Sequence, residues 1–438
     1  MTFVSTRGGD VDVTLSEAIT RGIAADGGLY IPAARPTVSL DSFDAHANLS
    51  AIATTMVKPF AAGDALESSL ARICEDAFNF PAPVVPLKGT SGQASVLELF
   101  HGPTCAFKDF GARFLAAALE RLRGGASRKL TVLVATSGDT GGAVAGAFHR
   151  RPWADVVLLY PKGLVSSRQA RQLSCWGDNV RTFAVAGTFD ECQAMVKGAM
   201  RDPALTATHE FSSANSINIG RLLPQTVYYA AASLHVWRAE RRKPGFIVPS
   251  GNLGNVAACI LARDMGLPIG DIVLATNSNL TVTEFLAEGV WRPRPSVATL
   301  ASAMDVGNPS NMERLRAGAA AVEQLRERVS AYSVTDEEIS ATIREDAKAR
   351  DRVWCPHSAT AAYVYRSVAQ MHPDTHWIIV ATAHPAKFDE IVEPLIGHPL
   401  PVPPALDRLL HLPRHDEELD ASLDALRAAL RPSRFDLR

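Results

Sequence analysis

The strongest constraint on the fold of this chain is a recurring apolar run of strand length that ends in a turn of small residues and gives way to a helix-forming stretch. Such runs are LTVLVAT (130–136), DVVLLYP (155–161), VRTFAV (180–185), FIVPSG (246–251), DIVLATN (271–277) and WIIVATA (377–383), with helical segments between many of them. Strands covered on both faces read as continuous apolar runs, so the alternation predicts an α/β chain with open, mostly parallel sheets. In such sheets the carboxyl ends of the strands carry the binding crevice, which is where SGDTG (137–141), SGNLG (250–254) and TAHPAK (382–387) fall. With 438 residues and 47% hydrophobic content the chain buries more than one core, and its length suggests two or three domains. The first 85 or so residues read as a small module of short helices and turns, with Ser16 a helix cap before EAITRGIAA and DGGLYIP (26–32) ending in a turn. The strand-helix alternation starts past Pro81, Pro83 and Pro86.

Within this frame HGPTCAFKDFG (101–111) gives one lysine an unusual setting. Val96, Leu97, Leu99 and Phe100 read as a buried strand, Gly102-Pro103 breaks it, and GARFLAAALERLR has helical spacing, so Lys108 sits where a strand end turns into a helix. Phe107 and Phe110 flank it with apolar surface. Desolvation of that kind disfavours the ammonium and leaves a nucleophilic amine able to form a Schiff base. Alternatively, Lys108 snorkels past both rings to solvent. Cys105 is close enough to pass for a nucleophile, but no histidine-centred triad is readable, and a small core filler is the simpler role.

Two further segments bear on the choice. LTVLVATSGDTGGAVAGA (130–147) runs from strand through glycine turn into a helix of small residues, and FIVPSGNLG (246–254) repeats the design. Converging backbone N–H groups and a helix N-terminus hold phosphate or carboxylate without a cationic side chain, and Thr136, Ser137 and Thr140 add hydroxyls. Neither segment has the Gly-Lys-Ser/Thr of a P-loop, and the glycine spacing fits a dinucleotide fingerprint poorly. Two cradles around a candidate Schiff-base lysine suggest one for a cofactor phosphate and one for a substrate anion.

Composition excludes several classes. A net charge of -2 and a pI of about 6.6 provide no basic field for nucleic acid or an acidic membrane. The 6 cysteines are scattered without a CxxC pair, against a zinc site or a disulfide framework and in keeping with a reducing compartment. Charge interrupts the N-terminal segment before an apolar core forms, so neither signal peptide nor membrane span is expected, and the protein reads as cytoplasmic. His372 and His376 are split by Pro373 and make a poor metal pair. His384 either lines the site or secures its loop through a backbone hydrogen bond. Between Gly318 and Asp351 a charged helical stretch reads as a solvated face, and in HDEELDASLDALRAAL the residues Leu419, Leu423, Leu426 and Leu430 form one helical stripe docked on the body.

The blocks DGGLYIP, HGPTCAFKDFG, ATSGDTG, SANSINIGRLLPQ (213–225), VPSGNLGN, MDVGNPSN (304–311) and ATAHPAKF (381–388) together resemble the bacterial and fungal threonine synthases, fold-type II enzymes dependent on pyridoxal 5'-phosphate (PLP). The resemblance implies a tryptophan synthase β-like fold: an N-terminal domain over 1–85, a PLP-binding α/β core of two subdomains over 86–400 and a C-terminal helical extension over 401–438. It makes Lys108 the lysine that carries the cofactor. Gly251, Asn252, Leu253, Gly254 and Asn255 would hold the cofactor phosphate, and Thr382 would face the pyridine nitrogen. Asp139 stands where related enzymes place an asparagine near the phenolic oxygen, which leaves its role open. Thr136, Ser137, Thr140, Asn215, Ser216 and Arg221 would bind the substrate, Arg221 as a planar fork for phosphate oxygens, although an arginine on a helix is often only a surface cation. The implied reaction converts O-phospho-L-homoserine and water to L-threonine and phosphate by γ-elimination and β-hydration, in a monomer without a metal. MDVGNPSN has the composition of a mobile segment over the site. The rivals are a phospho-lyase giving 2-oxobutyrate, ammonia and phosphate, a dehydratase of the same fold type, and a silent sensor; retention of Lys108 and both anion loops speaks against the last.

Overall fold

The computed structural model describes residues 1–90, 92–124, 128–319 and 321–430. A six-stranded sheet has the order Ser330–Ser333, Ile272–Thr276, Gly245–Pro249, Trp377–Ala381, Ala94–Glu98, Val84–Pro86. Its neighbours are parallel except the last pair, which is antiparallel. A five-stranded sheet has the order Asp416–Asp420, Val180–Ala186, Ala154–Pro161, Leu130–Ala135, Glu210–Ser213, parallel throughout. The expected α/β chain with mostly parallel open sheets is what the residues form. Leu130–Ala135, Gly245–Pro249 and Trp377–Ala381 are buried along their whole length, which is why they read as apolar runs without alternation.

Three cores result. One joins the N-terminal helices (Met56, Phe60, Ile73) to the Lys108–Leu122 helix through Phe110 and Phe114, with Phe78 and Phe110 ring centroids 6.0 Å apart. A second contains Trp354, Trp377, Ile379 and Phe388, and a third covers a face of the five-stranded sheet with Leu133, Phe183, Met195 and Leu426. Among the described residues no helix is long and apolar enough to cross a membrane.

Four local readings need correction. The helix Leu15–Arg21 is capped by Thr14, whose hydroxyl accepts from Glu17 N at 3.3 Å while Glu17 accepts from Thr14 N at 2.9 Å. Ser16 bonds Asp64 instead, its N–H donating at 2.9 Å. Tyr30–Pro32 is a strand, antiparallel to Phe3–Ser5, rather than a turn. The charged stretch after Gly318 is divided by the edge strand Ser330–Ser333, which is paired with Val273–Thr276. At the C-terminus the helix begins only at Leu423, because Asp416–Asp420 forms the edge strand beside Val180–Ala186. Leu419 packs toward the third core, while Glu417, Glu418 and Asp420 put charge on an open sheet edge, a device that discourages pairing with another chain. Leu426 and Leu430 are buried as their helical spacing predicts. Residues 431–438 of the C-terminal extension lie outside the described residues.

Candidate active site

A cavity of about 1950 Å³ is lined by segments that follow the carboxyl ends of strands in both sheets. It gathers Lys108, Thr136, Ser137, Asp139 and Thr140 with Asn215, Ser216 and Arg221, the 251–255 turn and Thr382. The residues that the resemblance assigned to cofactor and substrate therefore face one space.

Lys108 is the first residue of its helix. The loop before it is fastened to the TAHP loop: Phe107 N donates to Thr382 O at 2.8 Å, His384 N donates to Cys105 O at 3.0 Å, and Ala106 and Ala383 form an antiparallel bridge. Asp109 closes the loop from below, accepting from Thr104 N at 2.9 Å and Thr104 Oγ1 at 2.6 Å. Gly102 is required there, since a Cβ would lie 2.4 Å from Asp109 Oδ2. Lys108 Nζ sits 4.2 Å from the Phe107 ring centroid, whereas Phe110 packs on Phe80 and Tyr228 in the core. Burial, followed by the positive charge of Arg221, pushes the Lys108 ammonium down to about 8, with Asp139 acting in the opposite sense.

In the SGDTG turn, Thr136 Oγ1 accepts from Gly138 N at 3.1 Å and Gly141 N at 2.8 Å, so this hydroxyl shapes the turn from behind. Gly138 has φ +130°, and a Cβ there would strike the Gln169 side chain at 2.5 Å. Ser137 and Thr140 are partly exposed to the cavity at the N-terminus of the helix Asp139–Phe148. Asp139 is not open to a ligand on every side: Lys387 Nζ lies 2.7 Å from its Oδ1, and Gln169 Nε2 donates to the same oxygen at 3.0 Å. Burial would raise the Asp139 carboxyl, but Lys387, then His357 and the hydrogen bonds, hold it below the usual range.

In the SGNLG turn, Leu253 adopts φ +61° before the helix Gly254–Asp264. A Cβ on Gly251 would meet Met304 Cα at 2.6 Å. Asn252 Oδ1 accepts from Ser310 N at 2.6 Å, and Asn252 Nδ2 donates to Ser216 Oγ at 2.8 Å. Asn311 Nδ2 donates to Ser216 Oγ at 3.2 Å and to Asn252 O at 2.9 Å, and Arg314 binds Asn311 Oδ1 and, at 2.5 Å, Ile217 O. The two loops are thus braced against each other. Asn255 Oδ1 accepts from Tyr228 at 2.5 Å and Tyr229 at 2.8 Å, leaving its Nδ2 without a partner.

Arg221 is 1% exposed, which removes the surface-cation reading. One Nη binds Ala214 O, and Nε is buried without a partner. Burial pushes its guanidinium down to about 10. The unpartnered buried atoms Arg221 Nε, Asn215 Oδ1, Asn255 Nδ2 and His357 Nδ1 all belong to residues of this one wall, where buried polar groups normally find partners. A fixed cation, two helix N-termini and the bare Asn255 amide N–H are the chemistry of an anion site.

Other candidates resolve differently. His384 does not line the cavity: its Nδ1 accepts from Ala386 N at 3.2 Å, so it secures the loop. His357, which no motif flagged, lines the cavity, accepts from Ala303 N at 3.0 Å and is pushed down to about 4 by burial. Cys105 is 1% exposed, with its thiol raised to about 11 by burial, and fills the core. His376 Nε2 lies 3.1 Å from Ser95 Oγ, and among the described residues no cluster could hold a metal ion. Met304 to Ser310 of the MDVGNPSN block form part of the cavity wall, with Asp305 accepting from Asn277 Nδ2 and Thr299 Oγ1, both at 2.7 Å.

Comparison with known proteins agrees along most of the chain. Family models match residues 2–78 (threonine synthase N terminus), 77–383 (pyridoxal-phosphate dependent enzyme) and 358–430 (threonine synthase, C-terminal). Threonine synthase of Escherichia coli (strain K12) is 39% identical over 418 residues, spanning 95% of this chain and 96% of the relative. That of Haemophilus influenzae is 39% identical over 427 residues, spanning 95% of this chain and 96% of the relative. The crystal structure of the Escherichia coli threonine synthase is similar with TM-score 0.88 at 38% identity, covering 98% of this chain and 99% of that one. The PLP-bound threonine synthase from Brucella melitensis is similar with TM-score 0.89 at 32% identity, over 98% and 99% of the two chains.

Proposed function

The chain belongs to the threonine synthase family of PLP enzymes, and from that premise we propose how its own residues convert O-phospho-L-homoserine and water to L-threonine and phosphate. The observation that carries the reading is one wall with a lysine amine held near neutrality beside a buried guanidinium and two helix N-termini.

The residues fit the cofactor. The close approach of Gly251 to Met304, the left-handed Leu253 and the free Asn255 amide make a cradle at the N-terminus of an 11-residue helix, suited to a phosphate dianion. Gly251, Asn252, Leu253, Gly254 and Asn255 would hold that phosphate, Thr382 would meet the ring nitrogen through its hydroxyl, and Lys108 would hold the group covalently. When bound, the cofactor would supply an electron sink that acidifies the C–H bond on the substrate's amine-bearing carbon and, in turn, those on the carbon beside it.

The remaining work falls to side chains. Lys108 Nζ, as the free amine, would remove the Cα proton and later return one; with its ammonium pushed to about 8 it serves both directions near neutral pH. Ser137 and Thr140, with the amides opening the helix Asp139–Phe148, hold the substrate carboxylate. Arg221, Asn215 and Ser216 orient the phosphate, and Arg221 stabilises the charge that grows on it as it leaves. Thr136 serves indirectly by shaping the turn. The six thiols, buried and free, suit the reducing cytoplasm, and the chain acts as a monomer, which light scattering on the purified protein tests.

The test of these roles is borohydride reduction of the yellow protein followed by peptide mass spectrometry. The cofactor mass is expected on Lys108, and Lys108→Ala should bind PLP only noncovalently and show no turnover. Label on Lys387 or elsewhere, or an active alanine variant, would overturn the assignment.

A further inference from the structure

Resting on the reading of Lys108 as the cofactor lysine, we infer that Lys387 is a positioning residue: by engaging Asp139 it denies the catalytic amine a counter-ion and leaves that amine free to act as a neutral base. Lys387 is 0% exposed, inside the short 3₁₀ turn Pro385–Phe388. Its Nζ lies 2.7 Å from Asp139 Oδ1 and donates to Thr104 O at 2.8 Å. It therefore ties together the three loops that build the site: that of Thr104 to Lys108, that of Thr136 to Thr140, and that of Thr382 to Phe388.

A wholly buried lysine is a costly residue, and an apolar side chain of similar volume often serves packing as well or better. Its presence at this place, in contact with a buried carboxylate, points to an electrostatic role. Asp139 and Lys108 line the same cavity, and the Asp139 charge already acts on Lys108. With Lys387 and Gln169 on its Oδ1, the carboxylate charge is compensated. Without Lys387, Asp139 would be a buried anion sharing its cavity with Lys108 and His357, and an opposite charge favours the ammonium form of the lysine. The other charged and titratable groups facing Lys108 are Arg221 and His357; those facing Lys387 are Asp109, Cys105, His357 and His384. Arg221 disfavours a second cation beside it, and the buried His357 stays neutral above about pH 4. Asp109 accepts from both the N–H and the hydroxyl of Thr104, and its charge is not among those that act on the amine. Asp139 is thus the anion whose release would change the amine.

The experiment measures the pH midpoint for acetylation of Lys108, by peptide mass spectrometry, in full-length protein freed of cofactor. In the parent the midpoint is expected near pH 8. Lys387→Gln, which can still donate to Asp139 and Thr104, should raise it by about one pH unit, or roughly tenfold less labelling at neutral pH. The doubly neutral Asp139→Asn/Lys387→Gln should bring it back to the parent value or below. Asp139→Asn alone should lower it, and tests the claim if Lys387→Gln yields no folded protein. An unchanged midpoint in Lys387→Gln, or the same rise in the double variant, would overturn the proposal in favour of a packing role. Borohydride labelling of the same preparations reports separately whether Lys108 is the cofactor lysine, so failure of that reading shows as label on another residue.

Discussion

Replacing Arg221 with methionine should separate stability from function. The guanidinium is 1% exposed, makes one bond to a backbone carbonyl and leaves its Nε unpartnered, so the ligand-free chain bears the desolvation of a cation that the charge of Asp109 offsets only from outside salt-bridge contact. Methionine fills a similar volume without that charge, and the apparent Tm is expected to hold or rise. Function should move the other way. If Arg221 gives the substrate phosphate two charge-assisted hydrogen bonds, each worth roughly 1.5–3 kcal/mol, their loss amounts to about 3–6 kcal/mol, or about two to four orders of magnitude in kcat/KM. Thermal melts with inorganic phosphate provide a second readout. Phosphate at a hundred times its Kd stabilises a specific binder by about 2.7 kcal/mol, and Arg221→Met should lose most of that gain. A variant that melts well below the parent, or one that keeps both its kcat/KM and its stabilisation by phosphate, would refute the argument that this side chain is held in the fold for an anion.

Two more perturbations probe the cofactor wall. Gly251→Ala places a methyl 2.6 Å from the Met304 backbone, and the shift it forces should weaken PLP binding by about ten- to a hundredfold while the chain stays folded; unchanged affinity in a spectroscopic titration would contradict this. His357 titrates at about 4 in the folded chain and near 6.5 when unfolded, so the unfolded state takes up a proton that the native state refuses. Stability is then full above about pH 6.5 and falls by about 3 kcal/mol as pH drops toward 4. Urea midpoints between pH 7 and 4.5 should show a shallower slope in His357→Gln, and an identical slope in the two proteins would rule out this source.

The parts of the site that the sequence discloses are those whose residue types are dictated by backbone geometry. A strand, a glycine turn and a helix of small residues can be recognised at 130–147 and at 246–254 because close backbone approach needs glycine and the strands are buried on both sides. The groups that escaped are side chains whose partners lie far away in the chain. Lys387 reads as an ordinary basic residue until Asp139, 248 positions earlier, is found 2.7 Å away. His357 carries no local signature, whereas His384, in a block that draws the eye, proves to be a loop brace. At the C-terminus, leucine spacing suggested one helix through Leu419, but a free sheet edge beside Val180–Ala186 recruits Asp416–Asp420 as a strand. Tertiary pairing decided there against a local period, as it did at Ser330–Ser333. Thr136 shows a subtler limit: its residue type suggests a hydroxyl for an anion, yet its oxygen is occupied by the turn that presents the neighbouring residues.

The most direct test of the account is to incubate the purified holoenzyme with O-phospho-L-homoserine and quantify the products by mass spectrometry alongside released phosphate. Threonine and phosphate in equal amounts are expected from a site that holds the substrate through hydration and returns the Cα proton. Phosphate accompanied by 2-oxobutyrate and ammonia, or no phosphate at all, would contradict it.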